Sequence, residues 1–212
     1  HPAETLAFFG LKPGMTVVEM SPGGGWYANI LAPAVAGTGQ YIAIVPAPPQ
    51  YQKATEALKA RMAADEKLFG KPRFVEFTPD GKWADGLNAD MLLTFRNVHN
   101  WGDDAGNMFK AFYAALKPGG VLGVVDHRLP ESRTTPTGGY LKESQVIALA
   151  TAAGFRLDAK SEVNANPKDT ADYPKGVWTL PPTYALGDVD RAKYQAIGES
   201  DRMTLRFVKA KK

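Results

Sequence analysis

Residues 17–27, with the sequence VVEMSPGGGWY, decide the fold. The stretch opens with apolar and β-branched residues interrupted only by Glu19, a pattern typical of a strand that is buried on both faces. Three consecutive glycines then make a tight turn, and apolar residues at helical spacing follow. A strand, a glycine-rich turn and a helix in this order predict an α/β domain of the nucleotide-binding type.

The composition is that of a single globular domain. The chain has 212 residues, of which 44% are hydrophobic and 22% charged, and it contains no cysteine. Disulfides, thiolate nucleophiles and cysteine-ligated zinc are therefore excluded. The net charge of +3 is spread along the chain without a basic arm, so we expect no nucleic-acid partner. No apolar run reaches the roughly 20 residues that span a bilayer, so no membrane insertion is expected.

Strand-like and helix-like stretches alternate over the first 153 residues. Strands are predicted at 15–20, 40–45, 74–77, 89–95 and 121–125, and helices at 3–9, 26–35, 50–69, 107–116 and 142–153. This alternation predicts a mostly parallel sheet with helices on both faces. Two further strands, 155–161 and 203–208, have no helix between them and predict a terminal antiparallel hairpin. The segment between them, about 164–200, is an irregular insertion in this one domain, which covers residues 1–212.

Three separated motifs carry a resemblance to a known family. They are PGGGWY at 22–27 with ILAP at 30–33, TFRNVHNW at 94–101, and VDHR at 125–128. With these motifs, an LKPGG turn before strand five and the closing hairpin, the chain resembles class I S-adenosylmethionine-dependent methyltransferases over about residues 6–208. It looks most like a bacterial group of predicted methyltransferases that are often made with export signals. The resemblance implies a Rossmann-like methyltransferase sandwich, S-adenosylmethionine as the cofactor and a small-molecule substrate.

The resemblance also implies where the cofactor binds. The cofactor-binding residues it indicates are Glu19, Ser21, Gly23, Gly25, Tyr27, Thr78 and Asp80. Two positions depart from the family pattern: Ser21 stands where the first glycine is usual, and strand two ends in Val45-Pro46 without the acidic residue that accepts hydrogen bonds from the ribose. Without that partner for the ribose hydroxyls, the binding free energy of the cofactor would be weaker by on the order of 1–3 kcal/mol. The alternative is that the glycines and Asp80 only make turns.

Polar residues directly follow strands four and five, and we expect them to meet along one rim of the sheet. The predicted catalytic residues are Asn97, His99, Asp126, His127 and Arg128. His99 or His127 would accept a proton, and Arg128 would anchor an anion or a carbonyl group. Alternatively, Asn97 and His99 tie down the loop, and Asp126 pairs with Arg128. The two histidines and Asp126 also form a candidate set of metal ligands, but their spacing does not demand a metal, and none is predicted.

Aromatic residues indicate how a substrate would be held. Trp101 is expected to stack on a flat ligand. Tyr173, Trp178 and Tyr184, with Tyr194 nearby, would form a lid over an apolar or phenolic substrate. The alternative is that they are the apolar anchors that any long loop needs in order to pack.

These observations predict an S-adenosylmethionine-dependent methyltransferase acting on a small molecule. The missing strand-two carboxylate keeps two alternatives open: a cofactor-independent lyase, isomerase or hydrolase on the same fold, and a noncatalytic ligand-binding protein. The sequence begins His1-Pro2 rather than with methionine and contains no cysteine. Both features favour export to the periplasm after removal of a signal peptide, with the cytoplasm as the alternative.

Overall fold

The computed structural model describes residues 1–133 and 138–211. The strands in this part of the chain are β1 (Thr16–Met20), β2 (Gln40–Val45), β3 (Arg73–Glu76), β4 (Ala89–Phe95), β5 (Leu116–His127), β6 (Phe155–Ser161) and β7 (Arg202–Lys209). They form one sheet in the order β3-β2-β1-β4-β5-β7-β6. The first five strands are parallel, and β7 is antiparallel to both β5 and β6. The predicted Rossmann-like sheet with a terminal antiparallel hairpin is confirmed.

Helices cover both faces of the sheet. They are α1 (Pro2–Phe9), α2 (Ala28–Val35), α3 (Gln52–Ala64), α4 (Glu66–Phe69), α5 (Ala105–Ala115), α6 (Glu143–Ala152) and α7 (Arg191–Ile197). Val17 packs in the core under α1, α2 and α3, whereas Val18 packs in the core under α5 and α6. Successive side chains of a strand point to opposite faces, and helices cover both faces here, so both valines are fully buried. No helix in the described ranges is long and apolar enough to cross a membrane.

Two elements differ from the sequence prediction. The helix expected over residues 50–69 is interrupted at Asp65, whose side chain accepts a hydrogen bond from the backbone N–H of Leu68 at 3.0 Å and so caps a new helix, α4. Strand β5 begins at Leu116 rather than at Val121, so the predicted LKPGG turn is part of the strand. A register shift in β4 between Ala89 and Met91 lies opposite this first part of β5.

The segment 164–200 is irregular, as predicted, apart from a 3₁₀ turn at Gly176–Thr179 and the short helix α7. It packs through its own small core, in which Tyr173, Leu180 and Tyr194 are buried. The segment leads directly into β7 and thereby reaches the carboxyl end of β5.

Candidate functional site

The carboxyl ends of β1, β4 and β5 meet at one rim of the sheet. The strand order reverses between β1 and β4, which is where open α/β sheets bind ligands. The Asn97 Nδ2 group donates hydrogen bonds to the carbonyl oxygen of Met20 at 2.9 Å and to Thr94 Oγ1 at 3.2 Å. The loop after β4 is thus fastened to the end of β1 at this rim.

The glycine-rich turn keeps its shape despite the serine. Ser21 has φ 51°, the left-handed conformation that glycine usually supplies, and its N–H donates to the carbonyl oxygen of Ile44 at 2.9 Å. Gly25 has φ 84°, and a Cβ there would lie 2.5 Å from Leu58 Cδ1, so this glycine allows α3 to pack closely. A Cβ on Gly23 would meet no atom within 4 Å. Gly23 therefore borders open space.

That space is a cavity of about 380 Å³, called here the turn cavity. No charged side chain from residues 1–133 or 138–211 lines it. Its polar side chains are those of Ser21, Gln50, Tyr51, Thr55, Asn97 and Asn100. Its apolar wall includes Met20, Val45, Pro46, Phe77, Trp101 and Met108.

A second cavity of about 700 Å³, called here the histidine cavity, adjoins the first. The two cavities share Ser21, Pro22, Gly23, Tyr51, Asn97 and Asn100. The remaining wall of the histidine cavity includes both rim histidines, two arginines and exposed aromatic rings: Trp26, Arg96, His99, His127, Trp178 and Arg202. The glycine-rich turn and Asn97 therefore separate an uncharged space from a space that carries titratable groups.

His99 and Asp126 form a fixed pair beneath the histidine cavity. His99 Nδ1 lies 2.8 Å from Asp126 Oδ1, and the side chains are 6% and 0% exposed. The backbone N–H groups of Val98 and His127 donate to Asp126 at 2.8 Å each. The carboxylate therefore fixes the orientation of the His99 ring and leaves Nε2 as the nitrogen without a partner among the described residues.

His127 is held differently. Its Nδ1 lies 2.5 Å from Ser200 Oγ, and its ring centroid is 5.1 Å from that of His99. Burial, reinforced by electrostatic interactions with His99, Arg202 and Arg96, lowers the pKa of His127 to about 2. His127 is therefore a neutral hydrogen-bonding group and a poor base. Of the two histidines that the sequence offered as proton acceptors, only His99 has an environment that suits the role.

Arg128 requires a correction. All five of its N–H groups are hydrogen-bonded: Nε and Nη2 to Asp201, Nη1 to Glu143, and Nη1 and Nη2 to Glu162. It does not pair with Asp126, and it lines neither cavity. The predicted role as an anion or carbonyl anchor is therefore wrong, because the guanidinium has no donor left for a ligand.

Three predicted cofactor contacts are also corrected. Glu19 is buried beneath the glycine-rich turn and accepts a hydrogen bond from the Tyr41 hydroxyl at 2.6 Å, and its burial raises its pKa to about 7. Tyr27 stacks on Phe95, with ring centroids 3.5 Å apart. Glu19, Gly25 and Tyr27 line neither cavity and instead support the turn from below.

Thr78 and Asp80 form a turn at the border of a third cavity. The Thr78 hydroxyl donates to Asp80 Oδ1 at 2.7 Å, and the backbone N–H of Lys82 donates to the same oxygen at 3.1 Å. The hydrogen bond from the Lys82 side chain, together with these two, lowers the pKa of Asp80 to about 2. The third cavity meets the turn cavity only at Phe77 and Met108. A plain turn accounts for both residues.

The aromatic residues divide into two groups. Trp178 lines the histidine cavity, with its ring 6.1 Å from that of His99. Trp101 lines the turn cavity instead and packs on Phe112 at 5.5 Å. Tyr173 and Tyr184 belong to the small core of the irregular segment, so their predicted substrate contacts are replaced by the packing alternative.

Several cavity residues were not predicted. Arg96 and Trp26 stand inside the quoted motifs and could have been chosen, since each lies next to a predicted site residue. Ser200 and Arg202 reach the rim because β7 pairs with β5, and no local pattern marks them. Gln50 lies in the loop after β2 and is an amide rather than the acidic residue that the resemblance implies at the end of this strand.

No family model and no curated relative matches the sequence. Solved structures do match. An S-adenosylmethionine-dependent methyltransferase from Aquifex aeolicus has 16% identity and a TM-score of 0.68, over 98% of this chain and 88% of that chain. One from Mesorhizobium loti has 12% identity and a TM-score of 0.62, over 98% and 96% of the two chains. The [4+2]-cyclase SpnF has 16% identity and a TM-score of 0.71, over 100% and 80%. The chain therefore has the Rossmann-like methyltransferase fold.

Proposed function

We propose that this protein is an S-adenosylmethionine-dependent methyltransferase that acts on a small molecule. The observation that carries the proposal is the arrangement of the two cavities. The uncharged turn cavity lies at the switch point of the sheet, and the histidine cavity, with its His99–Asp126 pair, adjoins it across Gly23 and Asn97. A donor in one cavity and an acceptor in the other would be held side by side, and alignment is the main requirement of group transfer.

The residues of the turn cavity suit the chemistry of the cofactor. Val45, Pro46 and Phe77 offer apolar surface for a flat nucleobase, and the bare backbone of Gly23 permits close approach. Asn97 and Gln50 offer amide donors and acceptors for the polar parts. Gln50 follows β2 and would take the place of the missing carboxylate. When bound, the cofactor supplies an electrophilic methyl group.

The histidine cavity would hold the methyl acceptor. Its rings, Trp26 and Trp178, suit an apolar or phenolic molecule. His99 Nε2 would take the proton that the acceptor loses, and the buried Asp126 carboxylate would stabilise the imidazolium that forms. His127 stays neutral and offers a hydrogen bond.

Calorimetric titration with S-adenosylmethionine and S-adenosylhomocysteine tests this proposal. Both should bind the wild-type protein with 1:1 stoichiometry. Gly23→Ala, which adds a methyl group at the wall of the turn cavity, should weaken binding about tenfold. The matched control is Gly37→Ala, which adds the same group to another glycine that has a positive φ, meets no atom within 4 Å and lines neither cavity. Absence of binding at millimolar concentration would overturn the proposal.

A second candidate is a cofactor-independent lyase, isomerase or hydrolase. It is favoured by the end of β2, where Val45 and Pro46 offer no carboxylate for a ribose, and by a His99–Asp126 pair that could move protons without a cofactor. SpnF, which has the same fold, is named as a [4+2]-cyclase rather than as a methyltransferase. This candidate predicts turnover by exhaustively dialysed protein, and loss of that turnover in His99→Ala. A strict requirement for S-adenosylmethionine would exclude it.

A further inference from the structure

The wall of the histidine cavity has an unbalanced charge. Two guanidinium groups, those of Arg96 and Arg202, line it, whereas no aspartate or glutamate among the described residues does. The carboxylate nearest the histidines, Asp126, is fully buried behind His99 and already accepts three hydrogen bonds. Net positive charge therefore faces the open space.

Arg96 has no partner within the described residues. It has φ 60°, a left-handed conformation that is unfavourable for a residue with a side chain, and its backbone N–H is fixed to the carbonyl oxygen of Val125 at 2.7 Å. No hydrogen bond or ion pair engages its guanidinium in residues 1–133 or 138–211. Desolvation and the nearby charge of Arg202 lower the pKa of Arg96, against the opposing attraction of Glu199. The exposed Arg96 guanidinium, next to a second cation on the cavity wall, is therefore open to a ligand of opposite charge.

Arg202 is only partly satisfied. One end of its guanidinium pairs with Glu199, but its Nε is buried and has no partner among the described residues. Arg202 lies directly opposite His127 in the β5–β7 register, so it belongs to the same end of the cavity as the histidines. The Arg202 side chain is 18% exposed and lines the cavity, so an oxyanion there would be a second acceptor for its guanidinium.

The same charges disfavour the metal alternative. One ligand atom each from His99, Asp126 and His127 lie within 4.8 Å of one another. However, the Asp126 oxygens are occupied, and the positive charges that lower the pKa of His127 would repel a divalent cation. The guanidinium charges of Arg96 and Arg202 on this wall favour an anion at the same place.

We propose that the histidine cavity is an oxyanion-binding site, and that the molecule bound beside His99 is a small aromatic anion held by Arg96 and Arg202. The guanidinium fork matches the planar geometry of a carboxylate and also suits a phosphate. Trp26 and Trp178, which are 60% and 41% exposed, provide flat surface for the aromatic body. The inference deepens the proposed function by naming the class of acceptor, but anion binding does not itself require the cofactor.

Tryptophan fluorescence titrations test the inference without the cofactor, because Trp26 and Trp178 line the cavity. The probes are benzoate, phenyl phosphate and the neutral analogue benzamide. At least one of the two anions should bind the wild-type protein about tenfold more tightly than benzamide does. Arg96→Gln and Arg202→Gln should each remove most of this preference. Arg156→Gln, which removes the same charge from an exposed residue of β6, should preserve it.

Equal binding of benzamide and the anions, a preference that survives in the Arg96→Gln/Arg202→Gln double variant, or no anion binding at millimolar concentration would each overturn the inference. Circular dichroism of each variant verifies that it is folded. Failure here would leave the binding of S-adenosylhomocysteine in the turn cavity untouched, so the two proposals fail separately.

Discussion

Asp126 is the residue that organises the rim. It lies at the end of β5, yet its hydrogen bonds reach the loop after β4 through Val98 and His99. It therefore aligns the candidate base and joins two parallel strands at the same time. A buried carboxylate with three donors is favourable because each donor replaces a hydrogen bond that the group made with water.

Replacement of this carboxylate should be costly. In Asp126→Asn one oxygen becomes an NH₂ group, which leaves at least one buried donor without an acceptor. We expect a loss of about 1–3 kcal/mol in the free energy of unfolding, measured by urea denaturation. The control is Asp80→Asn, since Asp80 also accepts a backbone hydrogen bond but is exposed. A variant as stable as the wild type would show that Asp126 is not bonded in this way.

Glu19 predicts a distinctive pH dependence. Its pKa is about 7 in the folded protein, against an ordinary value of 4.5, because burial disfavours the carboxylate. The stability that this group contributes is fully present below pH 4.5 and is lost as the pH rises through 7. The loss amounts to roughly 3 kcal/mol. The neutral variant Glu19→Gln should therefore become more stable, relative to the wild type, as the pH increases.

Urea denaturation of both proteins between pH 4.5 and 8 measures this difference, and contributions from other groups such as His127 cancel in the comparison. Glu56→Gln, which changes an exposed glutamate of α3, should follow the wild-type curve. If Glu19→Gln and the wild type stay parallel across this range, Glu19 is ionised in the folded protein and the account of its burial is wrong.

At the residue scale the sequence predicted the positions better than the partners. Asn97, His99, Asp126 and His127 were expected at one rim because each follows a predicted strand. The pairing of His99 with Asp126 joins residues 27 positions apart, so no spacing rule could indicate it. Arg202 came to the rim through strand pairing across the sheet, and the loss of Arg128 to three carboxylates depended on tertiary contacts that are invisible in the sequence.

At the scale of elements, the end of β2 is the feature that should most affect the affinity for the proposed cofactor. Pro46 lines the turn cavity at the position where the family pattern has an acidic residue. Pro46→Asp would offer a carboxylate to the ribose hydroxyls, and we expect S-adenosylmethionine to bind about tenfold more tightly. Calorimetry measures the change. Pro46→Ala is the control, since it removes the proline without adding a charge, and an equal gain in both variants would refute the explanation.

The elements themselves were largely predictable. Strands β2 and β4 have the predicted bounds because each is a continuous apolar run between clear turn signals. The helix predicted over residues 50–69 is interrupted because the Asp65 side chain accepts a hydrogen bond from the backbone N–H of Leu68. This local hydrogen bond starts a new helix although the helical spacing of apolar residues continues. The LKPGG stretch is typical of a turn, but in the structure it belongs to β5. Leu116 pairs with Ala89 of β4, and a register shift in β4 accommodates the residues that follow.

At the scale of the whole molecule, the Arg128 cluster attaches the irregular segment to the sheet. Arg128 at the end of β5 bonds Glu162 after β6, Glu143 of α6 and Asp201 before β7. Ser200, which holds His127, is next to Asp201, and Trp178 lies in the same segment. The ion pairs therefore support the outer wall of the histidine cavity from behind.

Breaking this cluster should loosen both the fold and the cavity. Arg128→Met leaves the partly buried Asp201 and Glu143 without their shared cation, and we expect a loss of about 2 kcal/mol in the free energy of unfolding. Arg156→Met breaks an exposed ion pair and should cost less than about 0.5 kcal/mol. Hydrogen exchange should show faster opening of residues 164–201 only in Arg128→Met. Unchanged exchange there would contradict the supporting role.

The molecule as a whole combines a fold that serves many chemistries with a rim whose two cavities differ in charge. The fold alone does not determine the reaction. The division into an uncharged turn cavity and a positive histidine cavity, with His99 between apolar rings and buried Asp126, is what favours transfer to an anionic acceptor.

A crystal structure grown with S-adenosylhomocysteine tests this account most directly. We predict continuous density for the ligand in the turn cavity, with its adenine against Phe77 and Val45 and its sulfur beside the boundary with the histidine cavity. An empty turn cavity at saturating ligand, or density for the ligand in the histidine cavity around Arg96 and Arg202, would contradict the account.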